Sequence, residues 1–164
     1  MTDLFMRAGA TFSDCGLYRY TLTRRWNNDL PSVVFCMLNP STADHETNDP
    51  TITRCIGFSQ RWGYGGLVVV NLFAFRSTDP NGLWRVVDPI GPDNDRHILE
   101  QAMRSDERVV VAAWGSQPRA LGRGANVMAM LRQNGITVKA LKLNTGGQPS
   151  HPLYIKSDLK PVVI

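Results

Sequence analysis

Cysteine is scarce in this chain, and so is lysine. The three cysteines, Cys15, Cys36 and Cys55, are odd in number and widely spaced. That argues against a disulfide framework or a zinc site, and three thiolates fall short of the four that usually hold an iron–sulfur cluster. Cys36 lies in an apolar run and reads as a small core residue. No apolar run approaches the ~20 residues of a membrane span. The first residues, MTDLFMRAGATFSD, lack a basic start followed by an apolar stretch, so no signal peptide is expected. The expected compartment is the cytoplasm, with no membrane partner. GxGxxG, Walker A, HExxH and GxSxG are all absent, which argues against several common enzyme classes. No cofactor and no metal is expected.

The chain has 164 residues, 43% hydrophobic and 20% charged. One domain covering 1–164, with its core at about 17–156, is the natural reading. Net charge is +4, and only four of the 18 basic residues are lysines. Arginine suits bidentate phosphate contact, so the basic excess favours an anionic partner. The sequence implies no particular oligomeric state.

The order of elements is legible. LYRYTLTRRW (17–26) alternates like a strand, and SVVFCMLN (32–39) is a continuous apolar run that suits a strand covered on both faces. DPTITRCIGFSQRWG (49–63) predicts a helix with Asp49 as N-cap, Pro50 at the first position and Gly63 as the stop. GLVVVNLFAF (66–75) is a second buried strand. A long proline-marked connection follows, with a short helical turn at 82–86. Residues 93–106 predict a helix with Ile98, Leu99, Ala102 and Met103 inward. RVVVAAWG (108–115) is a third buried strand, 118–135 a helix, and ITVKALKL (136–143) a fourth strand whose alternation suits an edge. This alternation predicts a three-layer α/β/α sandwich around a mostly parallel central sheet.

In such sheets ligands bind beyond the carboxyl ends of the strands. The first buried strand delivers Asn39, Pro40, Ser41 and Thr42 there. The second delivers Asn71 and then Arg76. The third delivers Trp114, Gly115 and Ser116, and the fourth leads to Ser150 and His151. One polar strand end is only a turn, but four convergent ones point to a ligand site. The segment DHETND adds Asp44, His45, Glu46 and Asp49. It reads as a solvated, helix-capping loop before it reads as a metal cluster. Asp44 or Asp49 can alternatively serve as a general base. Arg119 and Arg123 lie one turn apart near a helix start, where they oppose the helix dipole; they read as a solvated face before they read as an anion contact.

LNPSTAD, VVVNLFAF, VVVAAWG and SHPLYI, in this order, resemble a family of small bacterial and phage proteins of unknown function, over roughly residues 30–156. More distantly, the same blocks resemble the motif order of the uracil-DNA glycosylase superfamily, a compact α/β sandwich. That resemblance implies that Asn39 positions an attacking water, that Asn71 reads a base through its amide, and that His151 sits beside the leaving base's oxygen. Trp114-Gly115 matches a structural strand end. The sequence departs from the pattern in three places: Cys36 and Met37 replace a glycine, no Asp precedes Pro40, and Leu153-Tyr154 replaces Ser-Pro after His151-Pro152.

The chemistry is coherent on its own terms. Breaking an N-glycosidic bond builds negative charge on the base, to which His151 can donate a hydrogen bond. Asn71 offers both donor and acceptor to a base edge. Phe73, Phe75 or Trp62 can provide a stacking face, and Leu153 or Tyr154 can wedge into a duplex. The expectation is a nucleobase-directed enzyme, glycosylase-like, with DNA or a nucleotide as partner. Two other readings stand beside it: a non-catalytic nucleic-acid or nucleotide binder, and a small-molecule hydrolase using the Asp44–Asp49 loop.

Overall fold

The computed structural model describes residues 6–41 and 46–164. The chain runs β1 (Arg7–Phe12), β2 (Arg19–Arg25), β3 (Ser32–Met37), α1 (Pro50–Arg61), β4 (Gly66–Asn71), α2 (Asn94–Arg104), β5 (Val109–Ala112), α3 (Leu121–Gln133), β6 (Thr137–Ala140) and β7 (Val162–Val163). Short 3-10 turns cover Pro80–Arg85, Pro118–Ala120 and Pro152–Tyr154. Asp49 caps α1 through its side chain, Pro50 opens the helix, and Gly63 follows it at φ +86°.

Among the described residues seven strands form one sheet, in the order β1-β2-β4-β3-β5-β6-β7. The block β4-β3-β5-β6 is parallel, whereas β1–β2, β2–β4 and β6–β7 pair antiparallel. The sheet is therefore mixed, which corrects the expectation of a mostly parallel one. The connection 13–18 is too short for a crossover and permits only a hairpin between β1 and β2. β6 is not an edge either: Lys139 and Ala140 pair with Val163 and Val162 of β7.

Helices cover both faces. Val33, Phe35 and Met37 of β3 pack with Ile52, Cys55, Ile56 and Phe58 of α1. Val34 and Cys36 face the other way, toward Ile98 and Ala102 of α2 and Val127 and Leu131 of α3. This double coverage is why the central strands read as unbroken apolar runs. Met103, expected inward, is 40% exposed. The inward face of α2 is instead Asn94, Ile98 and Ala102, because the Asn94 amide donates to the carbonyls of Asn71 (2.9 Å) and Leu72 (3.1 Å). Among the described residues no helix is long and apolar enough to cross a membrane.

The chain steps from β3 to β4 on one side, then returns past β3 to place β5 on the other. The carboxyl ends of β3 and β5 therefore form the point where the winding reverses, the usual place for a ligand crevice in such sheets.

Candidate functional site

A two-lobed cleft opens at those strand ends. The inner lobe, about 410 Å³, lies over β3, β4 and the start of α1. The outer lobe, about 870 Å³, lies over β5 and the 142–145 loop. Leu38, Pro80, His151 and Tyr154 form the wall common to both.

At the end of β3, the Asn39 amide donates from Nδ2 to the carbonyls of Pro40 (3.0 Å) and Ser77 (2.8 Å). The Ser77 N–H in turn donates to the Pro40 carbonyl at 3.1 Å. Both Asn39 amide hydrogens are thus used by the fold, which leaves its oxygen as an acceptor that can orient a water but not deprotonate it. Pro40 is buried and supplies that shared carbonyl.

Asp49 brings the carboxylate. Its Oδ1 accepts from the Ile52 N–H at 2.8 Å and its Oδ2 from the Ser41 hydroxyl at 2.6 Å. The cap requirement of α1 fixes its position, and the helix's positive end stabilises its charge. Both Asp49 and Ser41 line the inner lobe. Asp44 lies outside the described residues.

His151 opens the 152–154 turn, with Nδ1 accepting from the Leu153 N–H at 3.3 Å. An accepting Nδ1 puts the proton on Nε2, which remains a donor. Burial holds its pKa below the ordinary 6.5, with the charge of Asp49 pulling the other way. Burial thus favours the neutral ring. Arg54 of α1 holds this turn in place, donating from Nε to the Pro152 carbonyl at 3.1 Å and from its guanidinium to the Ile155 carbonyl.

Asn71 ends β4 on the floor of the inner lobe at 1% exposure. Its Nδ2 is buried and has no hydrogen-bond partner among the described residues. Such an orphan costs roughly 1–3 kcal/mol, a cost that a ligand acceptor would remove. Arg19 of β2 lines the same lobe at 3% exposure.

Trp114, Gly115, Ser116 and Ser150 line the outer lobe. Gly115 adopts φ +80°, and its N–H donates to the Pro149 carbonyl at 2.8 Å, which joins the end of β5 to the loop before His151. The Trp114 indole lies against Gly124 so closely that a Cβ there would meet Nε1 at 3.1 Å.

The cleft thus gathers Asn39, Ser41, Asp49, Asn71, Trp114, Gly115, Ser116, Ser150 and His151, with Leu153 and Tyr154 at its mouth, 38% and 85% exposed. It does not gather the proposed stacking rings. Phe73 is buried edge-on against Trp84. Phe75 meets Tyr18 edge-on. Trp62 stacks on Phe35 and donates to the Leu159 carbonyl. Tyr154 and Trp114 are the aromatic side chains that line the cleft.

The arginines divide. Arg76 and Arg119 are exposed, lying over the rings of Phe12 and Trp84. Arg123 is spent inside the fold: its Nε donates to the Leu72 carbonyl at 2.8 Å and a terminal nitrogen to Asp95 at 2.6 Å. Its expected nucleic-acid contact is thus set against two bonds within the fold. Among the described residues no group of three His, Cys, Asp or Glu can hold a metal ion.

Sequence reading missed Arg19, Arg54, Ser77 and Thr78. Arg54 acts on a loop nearly a hundred residues away, and no local pattern announces that.

No curated protein and no solved structure matches this chain. The model of a protein family of unknown function, DUF1643, matches residues 19–153, from the start of β2 to the turn that carries His151. The chain belongs to that family.

Proposed function

We propose that this protein acts on a nucleobase, hydrolysing an N-glycosidic bond of a base in DNA or a nucleotide. The observation that carries the reading is the buried Asn71 amide, whose Nδ2 has no hydrogen-bond partner among the described residues, on the floor of the lobe that His151 and Asp49 also line. A buried donor without a protein acceptor among the described residues suits a ligand that brings its own acceptor, such as a base carbonyl. The parallel four-strand block and the helices on both faces support the distant likeness to the uracil-DNA glycosylase superfamily.

In the proposed reaction the base enters the inner lobe and Asn71 reads its edge. Asn39 orients a water through its free oxygen. Attack at the sugar's anomeric carbon breaks the bond to the base nitrogen, and the bonding electrons leave with the base. His151 Nε2–H donates to the base oxygen where that charge builds. Asp49 takes the proton of the attacking water. The products are an abasic sugar and a free base.

A second reading, a nucleic-acid or nucleotide binder without catalysis, is favoured by one feature. Both Asp49 oxygens already accept hydrogen bonds from Ile52 and Ser41, which commits the carboxylate to the helix cap. The test is a cleavage screen. Oligonucleotides carrying uracil, hypoxanthine or hydroxymethyluracil are incubated with the protein and assayed for abasic sites. Cleavage that disappears in His151→Ala supports the enzyme. Salt-sensitive binding without cleavage of any base moves the assignment to the binder.

A further inference from the structure

β2 contains one residue more than its partner can match. Thr11 pairs with Thr21, but the next residue, Phe12, pairs with Arg19, so Tyr20 is skipped. This is a β-bulge, a device that re-aims side chains. In a regular strand Tyr20 and Leu22, two apart, share a face. Here they do not. Leu22 belongs to the core beside α1, whereas the Tyr20 ring stacks on His97 of α2 at 4.5 Å and 11°. The same slip delivers Arg19 to the α1 side, into the inner lobe with Asp49 and Ile52. The Arg19 N–H, donating to the Ala74 carbonyl at 2.9 Å, fixes the backbone there.

We propose that the inner lobe receives an oxyanion, a phosphate or carboxylate borne by the base or nucleotide, and that Arg19 is its receptor. The proposal rests on the nucleobase reading of the cleft and narrows it to an acidic ligand. Arg19 is 3% exposed and Asn71 1%. A guanidinium only donates, always carries its charge and matches an oxyanion's paired oxygens. Asn71 Nδ2, without a hydrogen-bond partner among the described residues, adds a donor in the same lobe, and Thr78 belongs to the same lining. Asp49 is a carboxylate of this lobe and opposes an anion. Its two oxygens are already engaged, and it sits on the positive end of α1, which moderates that repulsion.

The experiment uses the full chain, calorimetric titration and matched ligands: a nucleoside with its 5′-monophosphate, uracil with orotate, and inorganic phosphate alone. The acidic member of one pair should bind about ten-fold tighter or more, the lower range for a hydrogen bond to a charged group. The pair that responds tells phosphate from carboxylate. Arg19→Gln should level that pair, and Arg19→Lys should restore part of the preference. The wild-type comparison stands even if the variants do not fold. Equal binding within both pairs overturns the oxyanion site and leaves the nucleobase reading intact. Arg19-dependent binding of phosphate alone, with no nucleoside or base bound, keeps the oxyanion site and sinks the nucleobase reading. No binding by any of the five overturns the proposal.

Discussion

Arg54 donates to the backbone carbonyl of Pro152 at 3.1 Å, and so ties α1 to the turn that begins at His151. The same helix carries Asp49 at its N-cap. One rigid element therefore sets the carboxylate directly and the imidazole through Arg54. Arg54→Ala should lower stability by about 1.5–3 kcal/mol, the range for hydrogen bonds to a charged group, as read by urea unfolding. It should also shift the His151 imidazole resonances and weaken ligand binding, with Arg54→Lys intermediate in both. Unmoved His151 resonances in a folded Arg54→Ala protein would show that the tie does not position the ring.

His151 should titrate below 6.5, because burial penalises its charged form more than Asp49 favours it. Between the folded and unfolded values the unfolded chain holds more protons, so stability rises with pH. The contribution is complete above the unfolded value and is lost as pH falls through the folded one. His97, also shifted downward by burial, adds a parallel slope, so the imidazoles need to be followed one by one by NMR. Asp49→Asn keeps a capping oxygen but removes the opposing charge, and should push His151 lower still. Titration of His151 at or above 6.5 in the native protein contradicts this account.

Asn71→Leu separates the needs of the fold from those of the site. It removes an amide nitrogen buried without a partner among the described residues, while the backbone carbonyl that Asn94 holds is kept. The unliganded protein should be as stable as wild type, or more stable by about 1 kcal/mol. Binding of any base or nucleotide should fall by about ten-fold or more. Thermal melts with and without ligand read both effects. A large loss of stability in the free protein would mean that the amide serves the fold.

Much of this site was legible before the structure. SVVFCMLN and GLVVVNLFAF announced themselves because strands buried on both faces need no polar alternation, and Asp49-Pro50 is a strong helix start. Asn39, Asn71 and His151 followed from the rule that strand ends meet. β1 was not legible, since RAGATF has neither an apolar run nor a clean alternation. Nor was β7, whose two residues gain meaning only by pairing with β6. Arg19 was hidden for a different reason: the alternation of LYRYTLTRRW is regular in sequence and broken in space by the bulge. The bonds of Arg123 were not legible, because its unfavourable place near a helix start is offset by Leu72 and Asp95, from distant parts of the chain.

That division among the arginines gives the final prediction. A nucleic-acid partner should feel the exposed Arg76 and Arg119 through its phosphates. Each replacement by Gln should weaken binding similarly across sequences and reduce the slope of log K against log salt by about 1. Arg123→Gln should leave that slope unchanged, because the side chain is 9% exposed and bonded within the fold. Its effect should fall on stability, about 1–3 kcal/mol for losing a charged donor to the Leu72 carbonyl. Salt titrations of oligonucleotide binding, run beside urea unfolding for the three variants, separate surface charge from clamp. A slope that drops with Arg123→Gln but not with Arg76→Gln or Arg119→Gln would place the anionic partner on the α3 side of the cleft and overturn this division.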